Sequence, residues 1–111
     1  MKSAGAHCFV TQETEHTFIE AERFGEVVFL TTTDVNNTKG SLHNEELFRS
    51  IKAQLREFNP EVDYIVPAGS PYVVAGVFLI LGNMGLKNIK VLRWNNRDYN
   101  YTPLHMDLKR S

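Results

Sequence analysis

One cysteine among 111 residues, Cys8, removes any intramolecular disulfide and makes a reducing compartment the expected home. Four prolines and seven glycines, scattered rather than clustered, leave no collagen-like repeat, low-complexity tract or linker. The longest apolar stretch, Tyr72 to Leu86, has 15 residues where a bilayer core needs about 20, so no membrane span is expected. The start, Met1 to His7, lacks the apolar run of a secretory leader. Neither sign of charge dominates: 12 Lys and Arg face 13 Asp and Glu, and a net charge of −1 steers the whole molecule toward no polyanion. No strand is followed by Gly-x-Gly-x-x-Gly, and Thr38-Lys39-Gly40-Ser41 reverses the order that a phosphate loop requires. The four histidines, 7, 16, 43 and 105, share no ligand spacing, so the sequence implies neither a metal nor a cofactor.

What is present is an ordinary globular composition, 42% hydrophobic and 23% charged, of a length that fits a single domain over residues 1–111. Ala6 to Thr11 is short and weakly periodic, and predicts a first strand. Thr14 to Phe24 offers a short helix that Thr17-Phe18-Ile19 opposes and Gly25 ends. Glu26 to Thr32 is a continuous β-branched and apolar run of the kind covered on both faces, which predicts a central strand. Residues 33–41 read as a loop. Asn44 is positioned to cap a helix that buries Leu47, Ile51, Leu55 and Phe58 and stops at Pro60.

Asp63 to Pro67 predicts another strand, and Ala68-Gly69-Ser70-Pro71 a turn with Ser70 as N-cap and Pro71 in the first helical position. The helix Tyr72 to Asn83 is apolar on nearly all sides, and Gly85 is placed to end it. One small sheet can cover only one side of such a helix, so a homodimer through residues 72–83 is expected. Asn88 to Trp94 and Tyr99 to Leu108 predict a closing hairpin whose inward set is Leu104, Met106 and Leu108. Strand, helix, strand, helix, strand implies an α/β fold: a small Rossmann-like parallel sheet with flanking helices and a C-terminal antiparallel hairpin.

Ligands of open parallel sheets bind outside the carboxyl ends of the strands. That rule selects Thr33, Asp34 and Asn36 from one loop and Gly69 and Ser70 from the other, where a helix N-terminus suits a phosphate or carboxylate. Gly-Ser-Pro is equally an efficient way to start a helix, with Ser70 satisfying donors that otherwise stay orphaned. A hydrolytic reading would join Ser70 or Ser41 to His43 and Asp34.

Charge is divided along the chain: residues 1–86 hold six basic and eleven acidic side chains, net −5, and 87–111 hold six basic and two acidic, net +4. Lys90, Arg93 and Arg97, with Lys87, Lys109 and Arg110, interleave with Trp94, Tyr99 and Tyr101, the mixture of cations and stacking rings that binds single-stranded nucleic acid. The same cations also keep an edge hairpin soluble and unpaired.

Asp63 to Pro71, the apolar helix after it, Val91 to Arg97, Tyr101-x-Pro103 and the step Phe24-Gly25-Glu26-Val27 together resemble small proteins of tailed bacteriophages. The resemblance runs through most of the chain, departs from it in a longer Asn-rich loop at 34–41, and carries no catalytic residues across. It implies phage or prophage origin and a host bacterial cytoplasm. The reading that follows is a small non-enzymatic binding protein engaging a host macromolecule, protein or single-stranded nucleic acid, or an anionic ligand. The alternative is a nucleotide-binding protein or small phosphoester hydrolase at the strand ends, and a structural virion component also stays open.

Overall fold

The computed structural model describes residues 5–110, so that Met1 to Ala4, the greater part of the stretch Met1 to His7, lie outside the described residues, as do Ser111 and the side chain of Arg110. Five strands form one sheet: β1 His7–Val10, β2 Glu26–Phe29, β3 Tyr64–Val66, β4 Asn88–Asn95 and β5 Asn100–Asp107, with helices α1 Leu42–Leu55 and α2 Pro71–Asn83 between them. The spatial order is β2-β1-β3-β4-β5; the first four strands run parallel and β5 pairs antiparallel with β4. This is the small α/β sheet with a C-terminal antiparallel hairpin that the sequence implies. The winding reverses between β1 and β3, because the chain leaves β1 toward one edge and leaves β3 toward the other.

Two cores lie on the two faces. On one, α1 contributes Leu47, Ile51 and Leu55 and α2 contributes Val73, Val77 and Leu81 against Phe9, Ile65 and Ile89. On the other, the segment carrying a short 3-10 helix, Ile19–Arg23, buries Phe18 and Ala21 against Cys8, Val10, Val66, Leu92 and Tyr101. Successive strand residues alternate between them, as a pleated strand requires. The expected helix at 14–24 shrinks to that one 3-10 turn because Thr17, Phe18 and Ile19 resist helical winding.

Two expectations about the sheet are corrected. The run Glu26 to Thr32 yields only an edge strand, β2 at Glu26–Phe29, and the weakly periodic His7 to Val10 lies inside the sheet. Val28 and Leu30 pack toward the helices and Val27 and Phe29 toward the 3-10 segment, so the apolar run reports coverage of both faces, which an edge strand can also have. In β5 the buried residue is Tyr101, whereas Leu104, Met106 and Leu108 are exposed. Leu104 and Met106 do lie on the helix face, opposite Val91 and Ile89. The core on that face takes nothing from β5, so α2 leaves the last strand uncovered.

The helix ends follow elementary capping. Ser41, not Asn44, caps α1, its hydroxyl accepting from the Asn44 amide at 3.3 Å. Helix α2 has Ser70 as cap and Pro71 in its first turn, and it closes with Gly85 at φ 88° and bonds from Gly85 N–H to Gly82 and Leu86 N–H to Leu81. Phe58, past the end of α1, still reaches the core. The burial pattern makes a clear expectation for urea unfolding: Tyr101→Ala should cost about 3–5 kcal/mol and Leu104→Ala about 1 kcal/mol or less. Equal losses would contradict the placement of β5.

Candidate functional site

At the carboxyl ends of β1 and β3 the chain closes on itself. Thr11 Oγ1 donates to the Ala68 carbonyl at 2.6 Å and accepts from the Ala68 amide at 2.8 Å. Gln12, which the sequence reading does not single out, continues this clasp: its Oε1 accepts from the Ser70 amide at 2.6 Å, and its Nε2 donates to the Thr33 carbonyl at 3.0 Å and to Asp34 Oδ1 at 3.3 Å. Gly69 holds φ +83°, and a Cβ there would overlap Gln12. The crevice at the winding reversal is therefore filled by a buried amide side chain that occupies the approach a phosphate would need.

Four of the five residues expected at this site, Thr33, Asp34, Gly69 and Ser70, thus meet around Gln12. The fifth, Asn36, is turned elsewhere. Its backbone exchanges two bonds of 2.7 Å with the side chain of Asn44, and its own Oδ1 accepts from the Thr38 amide at 2.9 Å. Ser70 Oγ accepts from the Tyr72 amide and Ser41 Oγ from the Asn44 amide, while His43 Nε2 meets the Asp34 carbonyl at 2.7 Å. Both serine hydroxyls act as caps, and the imidazole binds a loop carbonyl. The signal for Gln12 was its position, in the polar pair Thr11-Gln12 that follows the apolar end of β1.

The hairpin residues divide between the two faces. Trp94 pairs across the ladder with Tyr101, and the two rings stand 5.0 Å apart at 67°. His16 lies edge-on to Trp94 at 5.0 Å and to Phe18 at 5.4 Å. These rings, with Tyr99, Pro67 and Gly69, line a groove of about 460 Å³ beside the carboxyl ends of β3 and β4. Arg93 is exposed, and strand alternation puts it on the face opposite Trp94. Lys90 Nζ donates to the Glu61 carbonyl at 2.7 Å and sits 4.7 Å from the Tyr64 ring centre, so its charge is engaged within the fold. Arg97 stands exposed in the turn, where its amide donates to Asn95 Oδ1.

Tyr99 is the one residue other than glycine with positive φ, at 49°, among the described residues, and it is 73% exposed. A four-residue connection such as 96–99 usually places glycine or asparagine in that conformation. A bulky ring held there against its steric preference is a local strain of about 1–3 kcal/mol at the groove's rim. Burial, and then the neighbouring Cys8, raise the Tyr101 hydroxyl above its ordinary value of 10.0.

The chain matches the model of the Phage Pam3 gp32-like protein family over residues 6–108. It belongs to that family. The Phage Pam3 gp32-like match makes this a phage protein, in agreement with the resemblance drawn from Phe24 to Val27, Asp63 to Pro71 and the closing hairpin. Within the first of these motifs, Gly25 is buried where a Cβ would stand 2.8 Å from the Ala6 carbonyl, so the Phe-Gly-Glu-Val step lets β2 enter close beside the start of β1. Neither a curated protein nor a solved structure matches this family member. Among its described residues no helix is long and apolar enough to cross a membrane, and no group of three or more His, Cys, Asp or Glu is arranged to hold a metal ion.

Two measurements check this site. Gln12→Ala leaves the Ser70 amide without its acceptor and should lower stability to urea by about 1–3 kcal/mol. An unchanged midpoint would show that the clasp carries no energy. The raised Tyr101 hydroxyl contributes stability that is fully present below about pH 10 and is lost as pH climbs through the folded-state value. Thermal unfolding of Tyr101→Phe should therefore decline less than the parent above pH 10, with parallel declines as the contrary result.

Proposed function

We propose that this phage protein is a non-enzymatic binding module that acts in the host bacterial cytoplasm and takes a segment of a host polypeptide into the groove beside the β4–β5 hairpin. The observation that carries the reading is Tyr99, a strained and exposed ring at the rim of a groove already walled by His16, Trp94 and Tyr101. Strain at an exposed aromatic is retained where the ring is used, and Trp and Tyr are the side chains that anchor protein contacts with little entropy loss. A polypeptide is favoured over single-stranded nucleic acid because stacking on nucleic acid works together with cations along the backbone track. Arg93 lies on the far face, Lys90 is engaged with Glu61 and Tyr64, and among the described residues no Lys or Arg lines the groove, leaving Arg97 at the tip.

The nucleotide or phosphoester reading at Thr33, Asp34, Asn36, Gly69 and Ser70 has less support. Gln12 holds the Ser70 amide and fills the crevice, and Ser70 Oγ is engaged as a cap.

A peptide-display selection run beside mixed-sequence single-stranded oligonucleotides tests the choice, with the fluorescence of the single tryptophan, Trp94, as reporter. Peptides with an aromatic or apolar anchor should be enriched and should shift that fluorescence. Tyr99→Gly should weaken them at least about tenfold while leaving stability unchanged or higher by up to about 1 kcal/mol, so affinity and stability move apart. Oligonucleotide binding that falls steeply with salt, with no peptide enriched, would overturn the proposal.

A further inference from the structure

The hairpin groove has no Lys or Arg in its lining among the described residues, so the charge at its mouth is set by the residues that alternate with that lining. Glu13 and Glu15 alternate with the lining residues Thr14 and His16. Both are exposed, and among the described residues neither is in an ion pair. Their backbone is held: the Glu13 amide donates to the Thr31 carbonyl at 2.9 Å, and Glu15 sits in a turn that the His16 amide closes by donating to Thr14 Oγ1 at 3.2 Å. Arg97 and Asp98, between Asn96 and Tyr99 in the hairpin turn, oppose each other in sign, and the wall from Pro67 to Gly69 carries no charge. Asp34, bonded to Gln12, is a third carboxylate at this end of the sheet.

The other cations near this face lie away from the mouth. Trp94 and Tyr101 pair toward one end of the β4–β5 ladder and Asn88 and Asp107 at the other, about 20 Å along the strand. Lys87 and Lys109 lie beyond that far end. Lys90 and Arg23 converge on the start of β3, Lys90 over the Tyr64 ring and Arg23 over Phe24, whose ring packs on Tyr64. In the 3-10 helix Arg23 is outnumbered by Glu20 and Glu22, and Lys39 lies beside Phe48 on the helix face. The mouth thus holds carboxylates with no compensating cation.

The rings favour the same sign of charge. The Trp94 indole N–H donates to Asn96 Oδ1 at 2.8 Å, which leaves a partner the face of the ring and not that polar edge. An aromatic face is the negative side of the ring and attracts an ammonium or guanidinium group, most strongly on Trp and Tyr. We infer that the segment taken by the groove is basic: a Lys or Arg beside its aromatic or apolar anchor lies over the ring face of Trp94 or Tyr99 and is countered by Glu13 and Glu15. The inference rests on the groove being a polypeptide site, as proposed above, and adds the charge of its occupant.

Three peptides test it, each with a phenylalanine anchor flanked by two lysines, two glutamines or two glutamates. Each is titrated into the full chain and followed by Trp94 fluorescence at about pH 8, where histidine is ordinarily neutral. The lysine-flanked peptide should bind roughly 3–10-fold more tightly than the glutamine-flanked one, the glutamate-flanked peptide most weakly, and the lysine advantage should shrink in about 0.5 M salt. In a double variant, Glu13→Gln with Glu15→Gln, circular dichroism should be unchanged because both positions are exposed. There the lysine advantage should fall to about twofold or less while the glutamine-flanked peptide binds as before. Equal affinity for the lysine-flanked and glutamine-flanked peptides would overturn the inference and leave a groove that takes neutral segments. A lysine advantage that survives the double variant would overturn the role of the two carboxylates. Failure of all three peptides to bind would overturn the polypeptide groove itself, and the inference with it.

Discussion

The clasp between the ends of β1 and β3 is the constraint on which the working parts of this molecule depend. Thr11 exchanges two hydrogen bonds with Ala68, and Gln12 ties the Ser70 amide to the Thr33 carbonyl, so three chain segments are joined by two consecutive side chains. Because the side chains of Thr11 and Gln12 are buried, leaving either unpaired would carry a desolvation cost, and the segments stay fixed in relation to one another. The start of α2 is set by this clasp, and so is the wall of the hairpin groove formed by Pro67, Ala68 and Gly69.

The same clasp changes what the fold can do. A parallel sheet with a reversal of winding normally leaves a crevice at the reversal, with helix amides aimed into it. Here the crevice holds Gln12, and the donor nearest to it is already paired. Surface available for recognition is found at two other places: the ring-lined groove beside the hairpin, on the 3-10 face of the sheet, and an uncharged strip on the helix face.

Much of the fold was legible in the sequence because its signals are local. Ser70-Pro71, the 13 apolar-rich residues of α2 and Gly85 define a helix with both ends marked, and the structure places it at Pro71–Asn83. Position within the sheet was not legible, since Val27 to Leu30 have the same apolar run whether the strand lies inside or at the edge, provided both faces are covered. The exposure of Leu104 and Met106 was hidden for a related reason: it depends on how far α2 reaches across the sheet, which no pattern in β5 encodes, while Tyr101 is buried on the other face against the segment that carries Phe18 and Ala21. Of the strand-end residues, Thr33, Asp34, Gly69 and Ser70 meet around a side chain the pattern did not mark, Gln12, two residues past the end of β1, while Asn36 bonds to Asn44 instead. The hairpin's cations and rings were read as one surface; alternation along β4 puts Arg93 and Trp94 on opposite faces.

The most direct test of the central claim, that Gln12 closes the strand-end crevice and leaves recognition to other surfaces, is an amide-resolved NMR titration with inorganic phosphate and with a nucleoside triphosphate. The account predicts that the amide resonances of Gly69, Ser70 and Tyr72 keep their positions at millimolar concentrations of either. Saturable shifts confined to those three amides would contradict it and return the site to an anionic ligand.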